Sequence, residues 1–297
     1  MQENGSTSFD DHVQYEVLPF ARSEEQAAQL PHPVRLTITC SPKHGPDRSV
    51  EFATRLCALG HCLTVHVAAR MIRDRDHLDS LMEGMAEAGV DDLFLIGGDP
   101  DPVGSFSSAV QLLPLIAEHP RRPQTIGVAG YPEGHPKIEP QTLDEALREK
   151  SARADYVTTQ MCFDPTALRQ WTIRLREQGV TLPVLIGMPG KVARKRLLEM
   201  SVRVGVGHSV TFLRKQRGIR ALFGKSTADK LFDEFAPALA DPEMNIAGFH
   251  YFTFNELVET WKWHHEKLDK VREGTRWEEL EPAQSYVHPE QRTTRLA

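Results

Sequence analysis

The chain has only four cysteines in 297 residues, Cys40, Cys57, Cys62 and Cys162, and no two of them form a Cys-x-x-Cys pair. That spacing offers neither a disulfide framework nor a thiolate zinc site, and it reads as reduced thiols in a cytoplasmic protein. No apolar run approaches the ~20 residues of a membrane span, and the first dozen residues lack the cationic and apolar pattern of an export signal. No membrane partner is expected. The formal net charge of −6 withholds the bulk positive surface a nucleic-acid partner needs. There is no Gly-x-Gly-x-x-Gly after the first strand pattern, so a Rossmann dinucleotide site has no support. His264-His265 stands without a His-Glu-x-x-His frame, and no metal is expected. Gly224-Lys225-Ser226-Thr227 hints at a phosphate loop, but its spacing from Gly218 is one residue too long and no strand precedes it.

What the chain does have is a repeated punctuation. Helical patterns end at Gly60, Gly89 and Gly179, and each is followed by a short apolar run: Cys62 to Val67, Leu93 to Ile96 and Leu182 to Ile186. Glycine closes a last helical turn in the left-handed conformation, and an uninterrupted apolar run suits a strand buried on both faces. Leu78, Leu81, Met82, Met85 and Ala88 recur at helical spacing, and Asp164-Pro165 reads as a cap and first turn. Strand patterns begin near Gln14, Val34, Cys62, Asp92, Gln124, Tyr156, Leu182 and Gly248. Eight of them with intervening helices fit a closed (β/α)8 TIM barrel in a single domain, and an open doubly wound sheet would give the same local signal. We expect a flexible lead over residues 1–13, a barrel over 14–267 and a polar tail over 268–297. The irregular stretch 201–245, with Arg214-Lys215-Gln216-Arg217, reads as an insertion or a long loop-plus-helix segment before the last strand.

Two apolar runs stop abruptly, at Gly97-Gly98-Asp99-Pro100 and at Gly130-Tyr131-Pro132-Glu133-Gly134-His135-Pro136. The carboxyl edge of a parallel barrel is where chemistry sits, and glycine there lets a ligand approach the backbone. Read alone, Asp99 is more simply a turn aspartate capping the next segment. Glu16 lies inside an apolar segment; a carboxyl in such surroundings favours its protonated form, the form from which a general acid works.

These strand ends resemble the flavin-binding segments of the methylenetetrahydrofolate reductase family, and three further segments extend the resemblance. Tyr15 to Phe20 is similar to the family's opening Phe-Glu-Phe-Phe-Pro-Pro strand. Thr158 to Asp164 is similar to its Thr-Gln-Phe-Phe-Phe-Asp segment, and Gly248 to Asn255 to its final Phe-His-Phe-Tyr-Thr-Leu-Asn strand. The matches fall in order over about residues 14 to 265. The resemblance implies an FAD flavoprotein with NAD(P)H as co-substrate and a folate as partner, interconverting 5,10-methylene- and 5-methyltetrahydrofolate.

It also implies roles. Glu16 and Asp99 would be catalytic; Asp99, Gln160 and Phe212 would meet the folate; Thr39, His66, Gly98, Asp99, Ala129, Tyr131, His135 and Lys150 would hold FAD. The family's arginine before Gly-Asp is Gly97 here, a carboxylate before Lys150 is Leu143, and an arginine after the last strand's Asn is Glu256. Each departure removes a charged contact to FAD phosphate or folate tail. Physiological oxidation of methyltetrahydrofolate, or a folate- or flavin-binding barrel with little turnover, stays open, as does a homo-oligomer.

Overall fold

A computed structural model describes residues 13–31, 33–192 and 227–274. Eight parallel strands close into one barrel in sequence order: β1 (Val13–Val17), β2 (Arg35–Ile38), β3 (Cys62–Ala68), β4 (Asp92–Ile96), β5 (Thr125–Gly130), β6 (Tyr156–Thr159), β7 (Val184–Pro189) and β8 (Ile246–Phe252). The helices are α1 (Ala21–Ala27), α2 (Gly45–Ala58), α3 (Arg75–Glu87), α4 (Ala109–Ala117), α5 (Pro140–Ser151), α6 (Pro165–Glu177), α7 (Thr227–Phe235) and α8 (Leu257–Gly274). The closed alternative is therefore the correct one.

The local signals hold for physical reasons. Asp164 accepts hydrogen bonds from the Thr166 and Ala167 amides and Pro165 opens α6. Gly60, Gly89 and Gly179 all have positive φ just beyond their helices. Within the stretch 201–245 the described part holds α7, which buries Leu231, Phe232 and Phe235 in the core, as the loop-plus-helix alternative expects. The last helix continues past Lys267 to Gly274, into the segment expected as a polar tail. The four cysteines are free, although Cys40 lies beyond β2 rather than within a strand. Among the described residues no helix is long and apolar enough to cross a membrane.

Strand registers sort the inward side chains into layers, each supplied by alternate strands. The lowest holds Arg35, Asp92, Tyr156 and Ala247, and above it lie Gln14, Thr64, Gly127 and Leu185. Then come Thr37, Phe94, Thr158 and His250, followed by Glu16, His66, Ala129 and Gly187. A register shift between β7 and β8 leaves Ala247 as an extra residue. That bulge sets the parity that turns His250 and Phe252 inward. Phe94, Tyr156, Leu185 and Ala247 form a small apolar plug inside the barrel, separate from the larger core outside it. Gly127 makes room for the plug, since a Cβ there would lie 2.2 Å from the Tyr156 ring.

At the floor, Asp92 is 3% exposed and accepts hydroxyl hydrogen bonds from Thr64 at 2.6 Å, Thr125 at 2.9 Å and Tyr156 at 3.0 Å. Burial outweighs these bonds and pushes its pKa up to about 6. An acid raised above its unfolded value contributes stability in full below about pH 4 and loses it as pH rises through 6. Asp92→Asn should therefore gain about 2–3 kcal/mol relative to wild type between pH 4 and pH 7. Urea midpoints of both proteins across that range check this; a pH-independent difference would contradict it.

Candidate active site at the barrel mouth

Above the plug the barrel turns polar. Glu16 on β1 is half-buried, its side chain 16% exposed, and its Oε2 lies 3.4 Å from His250 Nε2. His250 Nδ1 in turn meets Gln14 Oε1 at 3.1 Å, and Thr37 Oγ1 donates to the same oxygen at 3.5 Å. An amide oxygen accepts only, so Nδ1 carries a proton and Nε2 is the atom left to face Glu16. The β1 and β8 ends are tied by further bonds: Thr253 Oγ1 to the Glu16 carbonyl, and the Leu18 amide to Asn255 Oδ1 at 3.1 Å. Phe254 and Asn255 hold positive φ at this seam, a backbone cost of order 1–3 kcal/mol each that such ties sustain.

His66 on β3 packs its ring 4.8 Å from Phe94. Burial, and then the neighbouring His250, lower its pKa to about 3, so it is a neutral imidazole. Its Nε2 has no partner, and the same is true of Thr39 Oγ1 and Thr158 Oγ1. A buried polar atom left unpaired costs about 1–3 kcal/mol. His66 and Thr158 hold inward positions in adjacent layers of the barrel, and Thr39 follows directly on the end of β2.

The loops after β4 and β5 add a charged wall. Asp99 is exposed, and its charge reaches Tyr131 and His135: burial and then Asp99 push the Tyr131 hydroxyl up, while Asp99 opposes the lowering of His135 by burial. The Tyr131 and His135 rings meet edge to face at 5.3 Å. His135 Nδ1 accepts from the Lys137 amide at 3.2 Å, which leaves Nε2–H facing outward. Gly98 (φ 91°) runs so close to β3 that a Cβ would meet Ala68 Cβ at 3.1 Å. Ala129 is half-buried at the end of β5. Gln160 is held by its amide to the Gly130 carbonyl, and its Oε1 accepts from Met161 N at 2.8 Å, so its amide nitrogen is the donor it can offer.

Ten of the eleven residues expected from sequence thus lie on the carboxyl edge of the barrel or in reach of it. Phe212 lies outside the described residues. The structure brings together Asp99 with Tyr131 and His135, and Lys150 with Ala129. It shows no direct contact between Glu16 and Asp99. Two functional candidates escaped the sequence reading. His250 was signalled by a polar residue amid an apolar run. Glu133, whose carboxylate accepts from the Phe163 and Asp164 amides and so clamps the β5 loop to the β6 loop, gave no signal in sequence. Of the departures, Glu256 is paired with Arg22 at 3.1 Å, Leu143 lies half-buried on α5, and Gly97 has open space around a built Cβ. A cavity of about 340 Å³ is lined by residues of α7 and α8 with Lys191, none of them expected from sequence as a site residue, and Asp229 in it pairs with Lys191 and Lys267.

Lys150 on α5 is 8% exposed, and its one hydrogen bond is to the Ala129 carbonyl at 3.3 Å. Burial lowers its pKa to about 8. A lysine depressed below its unfolded value costs stability throughout the pH range below about 8 and recovers it only above. Lys150→Met should therefore stabilise the ligand-free protein by about 1–3 kcal/mol at pH 7. Denaturant unfolding at pH 7 and pH 10 checks this, with the gain expected to shrink at the higher pH; destabilisation at both would show that the amine is structural.

The family model for methylenetetrahydrofolate reductase matches residues 30–206, more than half of the chain. Methylenetetrahydrofolate reductase 2 of Schizosaccharomyces pombe is 30% identical over 211 residues, 61% of this chain and 32% of that protein. Methylenetetrahydrofolate reductase 2 of Saccharomyces cerevisiae is 30% identical over 123 residues, 37% of this chain and 20% of that protein. The chain thus spans about a fifth to a third of the length of these relatives. Among solved structures, an uncharacterised protein from Clostridium thermocellum that binds two copies of 5-methyl-5,6,7,8-tetrahydrofolic acid shares the fold, with a TM-score of 0.60, 12% identity, and coverage of 85% of this chain and 95% of that one. With the match spanning most of the barrel, this chain belongs to the methylenetetrahydrofolate reductase family.

Proposed function

We propose that this chain is an FAD-dependent oxidoreductase that interconverts 5,10-methylenetetrahydrofolate and 5-methyltetrahydrofolate, with NAD(P)H as electron partner. The observation that carries the reading is Glu16 at the mouth of the barrel, partly open to solvent and backed by His250 at 3.4 Å. The same mouth fits a flavin. It holds unpaired buried polar atoms on Thr39 and His66, a small Ala129, and on Lys150 a buried cation with no carboxylate partner among the described residues, suited to a phosphate. When bound, the flavin supplies two-electron hydride chemistry that no side chain offers. The folate bound by the Clostridium thermocellum neighbour agrees with the substrate class.

The residues' own work follows from their chemistry. Glu16 gives a proton to N10 of the folate as the bond from the bridging carbon to N10 breaks, which leaves the one-carbon unit electrophilic on N5. Asp99 sets a negative charge beside the cation so formed. The Gln160 amide nitrogen donates to the pterin and fixes its position. Neutral His66 offers a hydrogen-bonding atom without adding positive charge.

Glu16→Gln should keep the fold and the reduction of bound flavin by NADH, while turnover with methylenetetrahydrofolate falls at least ~100-fold, because only the folate half-reaction needs the proton. Stopped-flow measurement of the two half-reactions separates them, and equal loss in both would make Glu16 a structural or flavin-contact residue. Gly97→Arg tests the phosphate side. Open space at its Cβ lets the arginine fit, and a charged contact worth ~1.5–3 kcal/mol should tighten FAD binding about 10- to 100-fold. Looser binding by the variant, measured by fluorescence titration, would place Gly97 away from the cofactor.

A further inference from the structure

We propose that the Thr158 hydroxyl is a further binding residue for the flavin ring, a role that rests on the flavoprotein reading above. Thr158 is 3% exposed, and its Oγ1 makes no hydrogen bond in the structure. It shares this condition with Thr39 Oγ1 and His66 Nε2, two atoms of the expected FAD set, one just past the end of β2 and the other on β3. The orphaned atoms of the upper barrel interior therefore pick out two residues the sequence had assigned to the cofactor and one it had not.

No group in its own layer is hydrogen-bonded to Thr158 Oγ1: Phe94 is apolar, the Thr37 hydroxyl donates to Gln14, and both ring nitrogens of His250 are engaged, one by Gln14 and the other by Glu16. On the neighbouring strands Thr158 is flanked by Ala129 and Leu185 in register, neither with a polar side chain. The partner has to come from the mouth above. There Ala129 presents only a methyl group and is half-buried, so a ring entering the mouth beside Ala129 comes to rest over Thr158. Gln160, one inward position higher on the same strand path, is left for the substrate that stacks above. A hydroxyl both donates and accepts, so it can meet a ring N–H or a ring carbonyl, directly or through one ordered water.

The test is FAD titration of the purified protein and its Thr158→Val and Thr158→Ser variants, read by flavin fluorescence, with thermal unfolding of each in the absence of FAD. Valine keeps the shape and removes the hydroxyl. It should bind FAD about 3- to 10-fold more weakly while its ligand-free form is as stable as wild type or more so, and serine should bind within about twofold of wild type. Valine binding FAD as tightly as wild type would overturn the proposal and make the hydroxyl a packing defect. A valine variant that unfolds leaves the serine variant and Thr158→Ala to decide, with alanine expected to lose affinity and serine to keep it; equal affinity in both would overturn it. Wild-type protein that binds no FAD would instead overturn the flavoprotein reading itself.

Discussion

The closure of β8 onto β1 is the constraint on which the mouth depends. In a closed parallel sheet every inward position is fixed by the cumulative register, so a one-residue slip of β8 would turn His250 and Phe252 outward. The bulge at Ala247, where β8 pairs with β7, sets the parity of β8, and the seam between β8 and β1 is held at the rim by Thr253 on the Glu16 carbonyl, by Asn255 on the Leu18 amide and by Gln26 on the Asn255 carbonyl. Glu16 and His250 face each other only because these two strands meet in this register. Left-handed backbone at Phe254 and Asn255 is tolerated for the same reason: the bonds that strain the turn are those that close the barrel.

Within that frame the interior divides by height. An apolar plug and a hydroxyl-lined Asp92 fill the floor, which is packing against packing. The upper layers keep a neutral histidine, a carboxylate, unpaired hydroxyls and, beside them, a buried lysine. In a protein of marginal stability such groups are a net cost in the ligand-free state. Their concentration at one end of the barrel marks where the chain gives up packing for binding.

Much of this was legible in the sequence, for identifiable reasons. Helix-ending glycines and continuous apolar runs report backbone conformation and two-sided burial directly, so the strands and the Asp164 cap emerged within a residue or two. The strand ends at Gly97-Gly98-Asp99 and Tyr131 to His135 were visible because glycine and polar residues interrupt apolar runs there. Open and closed parallel sheets share local patterns, so the closed barrel was expected from the count of eight strand patterns and from the resemblance, and that is the form the structure has. α7 was visible only as one of two readings of an irregular stretch, because its helical periodicity is brief. Glu133 looked like a loop carboxylate because its partners are backbone amides, which carry no residue signature. Thr158 opened a segment that resembles the family but carried no expected role, and its buried hydroxyl without a hydrogen-bond partner is visible only once the barrel is packed.

The most direct test of the account is a crystal structure of the protein with FAD bound. The account places the flavin ring in the barrel mouth against Ala129, with Glu16 and His66 in its surroundings and the phosphates toward Lys150. Flavin seated outside the mouth, for example in the cavity between Lys191 and Lys267, would contradict it.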